Sequence, residues 1–429
     1  MLRAVFAAAT VAASVVLSGA AATPGPVADD PTDPVRASEY WLDAAHIREA
    51  WKITRGAGAT IAVIDTGIGK AHGVFDGAVI DGTDVSGSGA ADGRTPLGAV
   101  DGNHGSWVAS LAAARGSADG TGMIGVAPEA KLLSISVSFG AAASVPFTDQ
   151  IAQGMRWAVD HGADVINLSF TTNTLDWDQS WDGAFLYAFE HDVIVVVAAG
   201  NRGSGTSIVG APATIPGVLT VGGVDQTGTA SLEASTQGIT IGVSAPSEGL
   251  IGVSADGTLT SWSGTSGAAP IVAGVAALVR SAHPDMSAGD VINRIQQTAM
   301  PPPDDSPEAS LIYGHGLVDA YAAVTADVPH SEISPQRELE EWIHMFRRAE
   351  SVPEPGPTVS PVTIPGLPAA DKPSVPTFPL LPDEASLRLG TIPLLLVTLP
   401  AIMIGLGVIA AVRRIRIAKA VLRHDVSAP

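Results

Sequence analysis

Between Ala59 and Val224 the chain alternates short, mostly apolar runs with longer, one-sided ones. Ala59–Ile64, Lys131–Val137, Asp164–Phe170, Val193–Val197 and Val218–Val224 are short, predominantly apolar runs, continuous in Val193–Val197, as strands buried on both faces are. Ile151–His161, with Ile151, Met155, Trp157 and Ala158 available to face inward, and residues 179–191 read as the helices between them. This alternation predicts an α/β fold with a mostly parallel sheet flanked by helices. Further on, Ile271–Val279 predicts a buried helix, Ser287–Thr298 a helix with Ser287 as its N-cap, and Tyr313–Asp319 a closing turn and short helix. Trp41–Trp51 reads as one short amphipathic helix, and 138–149, rich in small residues, as an exposed loop.

The ends have other patterns. Residues 1–22 carry Arg3, an Ala/Val/Leu run to Leu17 and Ala20-Ala21-Ala22, the layout of a secretory signal with a small-residue cleavage site. Residues 333–350 form an amphipathic helical pattern through Leu339, Trp342, Ile343 and Phe346. Across 352–382 a proline recurs every few positions, which predicts an extended spacer; at ~3.1 Å per residue it could reach on the order of 90 Å. Thr391–Val412 is uncharged, apolar and long enough to span a bilayer. Arg413, Arg414, Arg416 and Lys419 follow it and mark the cytoplasmic side.

Composition narrows the function. The formal net charge of −20 argues against a nucleic-acid partner. With no cysteine, disulfides, thiolate zinc sites and cysteine nucleophiles are excluded. Asp81, Asp84 and Asp92, read as loop residues, lack a calcium-binding spacing, and His72, His161 and His191 lack metal-ligand spacing; no metal or cofactor is expected.

Three polar residues stand at predicted element ends with glycine one or two positions on. Asp65 ends the first strand in Asp65-Thr66-Gly67, where an open α/β sheet presents its site. His104, in Asn103-His104-Gly105, opens a small apolar helix. Ser266, in Gly264-Thr265-Ser266-Gly267-Ala268-Ala269-Pro270, opens the Ile271–Val279 helix, where free N–H groups and the helix dipole favour developing negative charge. A serine hydroxyl needs a base, histidine can take and return its proton, and aspartate can hold the imidazole, so the three suit nucleophilic acyl transfer. Asn201, in Ala198-Ala199-Gly200-Asn201, could donate a side-chain N–H to the oxyanion together with the backbone N–H of Ser266.

These four blocks, in this order, resemble the subtilisin-type serine proteases over about residues 55–325. The resemblance implies a subtilisin-like three-layer fold and peptide-bond hydrolysis, with Asp65, His104 and Ser266 catalytic. It places Ser169, Phe170, Ala199 and Gly200 against the substrate. Ser106 stands where the family usually has threonine, Gly267 where a larger residue often follows the serine, and Phe170-Thr171-Thr172 replaces a glycine-rich segment of the primary specificity pocket.

A narrower resemblance is to the mycosins, membrane-anchored subtilases that accompany type VII secretion. It is carried by Trp41-Leu42-Asp43-Ala44, Ala50-Trp51-Lys52, Gly58–Gly67, Val291–Ile295 and Tyr313–Asp319. It implies that the N-terminal extension packs along the catalytic domain without inhibiting it, although mycosins commonly carry disulfides and this chain has none. The expected organisation is a signal peptide (1–22), N-terminal extension (23–54), catalytic domain (55–328), amphipathic helix segment (329–351), proline-rich linker (352–390), transmembrane helix (391–412) and basic cytoplasmic tail (413–429). Three functions stay open: a surface endopeptidase acting on secreted protein or peptide substrates beside a type VII membrane complex, a structural brace of such a complex, and a general ectoprotease unrelated to secretion.

Overall fold

The computed structural model describes residues 32–98, 101–117, 119–139, 143–303, 306, 308–332, 334–347 and 392–424. The signal segment, the whole of the proline-rich linker and the end of the basic tail lie outside the described residues. The chain divides into two units, Met1–Val352 and Pro353–Pro429.

The first unit is built on seven parallel strands: β1 (Thr60–Asp65), β2 (Val79–Asp84), β3 (Lys131–Ser136), β4 (Val165–Leu168), β5 (Ile194–Ala198), β6 (Leu219–Val224) and β7 (Ile241–Pro246), in the order β2-β3-β1-β4-β5-β6-β7. The order reverses at β1, which pairs with β3 on one side and β4 on the other. That reversal opens a crevice beyond the carboxyl ends of the strands. The register sets Asp65 beside Ser136 and Ile64 beside Leu168, so the residues after β1, β4 and β5 emerge along one sheet edge.

Helices cover both faces, as the mostly apolar strands require. One core joins the sheet to α4 (His104–Ala113), α7 (Thr265–Ala282) and α8 (Ala288–Gln297). The other joins it to α5 (Phe147–Asp160), α6 (Asp182–Glu190) and α11 (Pro335–Phe346). Two short helices, α9 (Ser310–Tyr313) and α10 (Ala320–Thr325), close the unit. Ser287 caps α8 by accepting from Asp290 N–H at 3.1 Å, and Ser334 caps α11.

Three expectations are corrected, and one element went unread. Trp41–Trp51 is not one helix: α2 (Trp41–Ala44) and α3 (Ile47–Ala50), preceded by α1 (Pro34–Ser38), are separated at His46, whose φ is 51°. The break lets the Ala45 carbonyl accept from Ala320 N–H and sets His46 Nδ1 2.8 Å from Asp319, so tertiary partners replace a helical turn. Asp81 and Asp84 lie in β2, an edge strand too polar and too exposed to show strand periodicity. The hairpin β8 (Leu250–Val253) and β9 (Leu259–Trp262) was not foreseen either; β9 is half-buried and carries no apolar run. The segment 138–149 is not simply an exposed loop, because α5 already begins at Phe147, and Phe139 packs its ring against Phe147 and Phe170 at 5.3 and 5.8 Å.

In the second unit, α12 (Ile392–His424) runs through the apolar stretch and on into the basic residues, past the expected end at 412. Among the described residues, two helices are long and apolar enough to cross a membrane, and burial separates them. Thr265–Ala282 has mean hydropathy 1.2 and is 83% buried in the core, whereas Leu394–Ile415 has mean hydropathy 2.5 and buries nothing against protein. Leu394–Ile415 is the candidate membrane span.

Candidate active site

The site is assembled from five chain segments at the sheet edge. Asp65 is fully buried at the end of β1, and its carboxylate oxygens each lie 2.9 Å from His104 Nδ1. Thr66 fixes this pairing from behind. Its N–H donates to Asp65 Oδ1, its hydroxyl donates to the Gly102 carbonyl at 2.8 Å, and the same hydroxyl accepts from Gly105 N–H at 2.8 Å. The end of β1 and the start of α4 are therefore one hydrogen-bonded unit, which is the local reason for threonine after the aspartate. Ser106, on the next position of α4, accepts from Gly69 N–H at 2.9 Å and closes the turn after Asp65.

His104 has a side chain 20% exposed. Burial alone would lower its pKa, but the Asp65 carboxylate and, more weakly, Asp101 outweigh that, and the net effect is a raised pKa. With Nδ1 on Asp65, Nε2 remains for proton exchange. The ring is walled by Trp262 and Trp107 at centroid distances of 5.6 and 6.4 Å, and Trp107 Nε1 donates to Ser254 Oγ at 2.9 Å. Neither indole was singled out from the sequence; Trp262 arrives on the unforeseen hairpin.

Ser266 lies in the first turn of α7, after Gly264, whose φ of 151° suits glycine. Its hydroxyl donates to the Ser169 carbonyl at 3.0 Å, and Ser169 Oγ donates back to the Ser266 carbonyl at 2.9 Å. The hydroxyl thus rests on the segment after β4 rather than on His104. Asn201 sits after β5. Its Oδ1 accepts from Thr265 N–H at 2.8 Å and from Thr265 Oγ1 at 3.0 Å, and Thr265 Oγ1 in turn accepts from Gly200 N–H at 2.9 Å. With the amide oxygen held on Thr265, the Asn201 NH₂ group, 3.0 Å from where a Gly264 side chain would begin, is free to donate beside Ser266. Thr265 is thus a positioning residue whose only sequence signal is its place before the serine.

Gly267 has a packing reason for its small size. A Cβ there would lie 2.3 Å from Leu250 Cδ1 and 3.3 Å from Trp262 Cη2, so the β8–β9 hairpin fills the space that a larger residue would take. Of the residues expected to face substrate, Ser169 and Gly200 touch the Thr265–Ser266 segment directly. Ala199 is buried behind Gly200, and Phe170 joins Phe139 and Phe147 in an aromatic cluster. His72, His161 and His191 lie outside the site: His72 is exposed beside Asp76, His161 stacks on Trp157 and His191 rests against Tyr187. Among the described residues, no group of three or more His, Asp or Glu side chains is arranged to hold a metal ion.

A sequence profile described as the Subtilase family matches residues 56–316. Mycosin-4 of Mycobacterium tuberculosis is 33% identical over 333 residues, covering 68% of this chain and 70% of that protein. Subtilisin DY of Bacillus licheniformis is 36% identical over 274 residues, covering 63% and 92%. Among solved structures, MycP1 with the N-terminal propeptide removed is 30% identical with a TM-score of 0.57, covering 68% of this chain and 98% of that one. The MycP3 protease from the type VII (ESX-3) secretion system is 33% identical with a TM-score of 0.57, covering 71% and 90%.

Proposed function

The chain belongs to the subtilase family, and from that premise we propose that it is a membrane-anchored serine endopeptidase that cleaves secreted proteins on the outer face of the plasma membrane, beside a type VII secretion complex. The observation that carries the peptidase reading is the buried Asp65 paired at 2.9 Å with His104, at the same sheet edge as Ser266 and Asn201.

In this mechanism Ser266 Oγ turns from the Ser169 carbonyl to His104 and attacks the scissile carbonyl carbon as His104 Nε2 takes its proton. Asp65 holds the imidazole tautomer and stabilises the imidazolium. The oxyanion is met by Asn201 Nδ2 and the Ser266 N–H at the start of α7; such a side-chain donor supplies about 3 kcal/mol in comparable sites. His104 returns the proton to the leaving amine, and water then hydrolyses the acyl-enzyme by the same steps in reverse.

Two features support the location. Leu394–Ile415 offers a span, and the basic cluster Arg413, Arg414, Arg416 and Lys419 favours a cytoplasmic C-terminus. The proposed order is signal peptide (1–22), N-terminal extension (23–54), catalytic domain (55–328), helix segment (329–351), proline-rich linker (352–390), membrane helix and basic tail. The type VII assignment rests on similarity to mycosins and to the MycP3 structure.

The test is labelling of the full-length protein in detergent by a fluorophosphonate probe. Labelling should be lost in Ser266→Ala and strongly reduced in His104→Ala. A folded protein that takes no label would sink the peptidase reading and leave the bracing role as the better one.

A further inference from the structure

The peptidase reading leaves open which side chain fits next to the cleaved bond. The attacked carbonyl must come within reach of both Ser266 Oγ and Asn201 Nδ2. Two segments close on that point. Ser169 exchanges hydrogen bonds with Ser266, and Gly200 N–H is held on Thr265 Oγ1. The side chain on the acyl side of the scissile bond therefore enters between Ser169–Thr171 and Ala199–Asn201.

That entry is obstructed. A Cβ placed on Gly200 would lie 2.7 Å from Thr171 Cγ2 and 2.7 Å from Thr206 Cγ2, so two methyl groups cover the wall that Gly200 would otherwise leave bare. Neither methyl is free to turn away. Thr171 Oγ1 donates to the Gly210 carbonyl at 2.9 Å, and Thr206 Oγ1 donates to Asn173 Oδ1 at 3.1 Å. A β-branched side chain whose hydroxyl is tied has its methyl fixed by the same χ1. The backbone that carries the Thr171 methyl is also fixed, because Thr172 N–H donates to the Ala211 carbonyl at 2.7 Å. Arg202, next to Asn201 in the chain, is turned to the Ser235 and Ser231 carbonyls at 3.0 and 3.1 Å.

We propose that Thr171 and Thr206 form the floor of the primary specificity pocket and restrict the acyl-side residue of the substrate to glycine, alanine or serine. This rests on the peptidase reading. It also accounts for the Thr171-Thr172 pair standing where a glycine-rich segment was expected.

The experiment uses full-length enzyme in detergent, with active sites counted by fluorophosphonate labelling. The substrates are three peptides identical except for alanine, leucine or phenylalanine on the acyl side of the scissile bond. The expected kcat/KM for alanine exceeds that for phenylalanine by at least tenfold, within the range that pocket size alone can discriminate. Thr171→Gly should raise the phenylalanine-to-alanine ratio at least tenfold. Thr171→Ser, which keeps the hydroxyl bond to Gly210 and removes only the methyl, should move the ratio the same way by less, and serves if the glycine variant does not fold. A labelled wild type that prefers leucine or phenylalanine overturns the proposal, as does an unchanged ratio in both variants. A folded wild type that takes no label overturns the peptidase reading itself, and the pocket assignment with it.

Discussion

Thr265→Val tests whether the oxyanion donor is held in place by its neighbour. The substitution keeps the branched shape and removes one hydroxyl, which is fully buried and makes two hydrogen bonds, from Gly200 N–H at 2.9 Å and to Asn201 Oδ1 at 3.0 Å. Its loss leaves the Gly200 N–H buried without an acceptor, a cost of about 1–3 kcal/mol. That corresponds to a fall in Tm of roughly 2–6 °C for a unit of this size. The catalytic effect is separate. Losing the whole side-chain donor would cost about 2.7–4 kcal/mol. Here Thr265 N–H still holds Oδ1 at 2.8 Å, so only one of the two anchors that orient the amide is lost. A loss of about 1 kcal/mol is expected, a roughly fivefold fall in kcat with little change in KM. The assay is a double-mutant cycle on a peptide substrate, with unfolding measured in parallel. In an Asn201→Ala background, Thr265→Val should still lower Tm but should no longer lower kcat, because the amide it orients is gone. An equal fall in kcat in both backgrounds would refute the orienting role.

Three further outcomes follow from the geometry. Since His104 must be neutral to act as base and its pKa is raised by Asp65 and Asp101 against the opposing effect of burial, the acid limb of kcat/KM should have its midpoint above the ordinary ~6.5 of histidine. Asp101→Asn, which suits the positive φ at that position, removes one anion and should shift the midpoint to lower pH; a midpoint that stays in place would show that Asp101 does not act on the ring. Gly267→Met should destabilise by about 1–3 kcal/mol because its side chain meets Leu250 and Trp262, and Trp262→Ala should recover part of that in the double variant; strictly additive losses in urea unfolding would argue against the packing account. Trp41→Ala, at a fully buried position of the N-terminal extension, should cost about 3–5 kcal/mol in thermal unfolding, whereas an extension that merely lies on the surface would leave Tm unmoved.

What the sequence determined by itself was set by local chemistry. Short, mostly apolar runs announced β1, β3, β4, β5 and β6, because a parallel strand covered on both faces buries nearly every side chain. The candidate residues Asp65, His104 and Ser266 stood out because each sits at an element end with glycine one or two positions on, and the candidate span because no soluble surface tolerates a stretch of mean hydropathy 2.5. Half-exposed β2 and β9 show no such pattern, since neither strand has a fully buried position that demands an apolar side chain. Only the tertiary structure decided the working contacts. The Asp65–His104 pair joins residues 39 positions apart, and the Asn201–Thr265 pair residues 64 apart. The register of β1 with β3 and β4 and the seat of α7 bring such distant residues together. For the same reason the fit of Gly267 to Trp262 and the two threonine methyls over Gly200 could not be read along the chain: each is a property of two surfaces meeting, and a local pattern reports only which face of an element turns inward, not what it meets there.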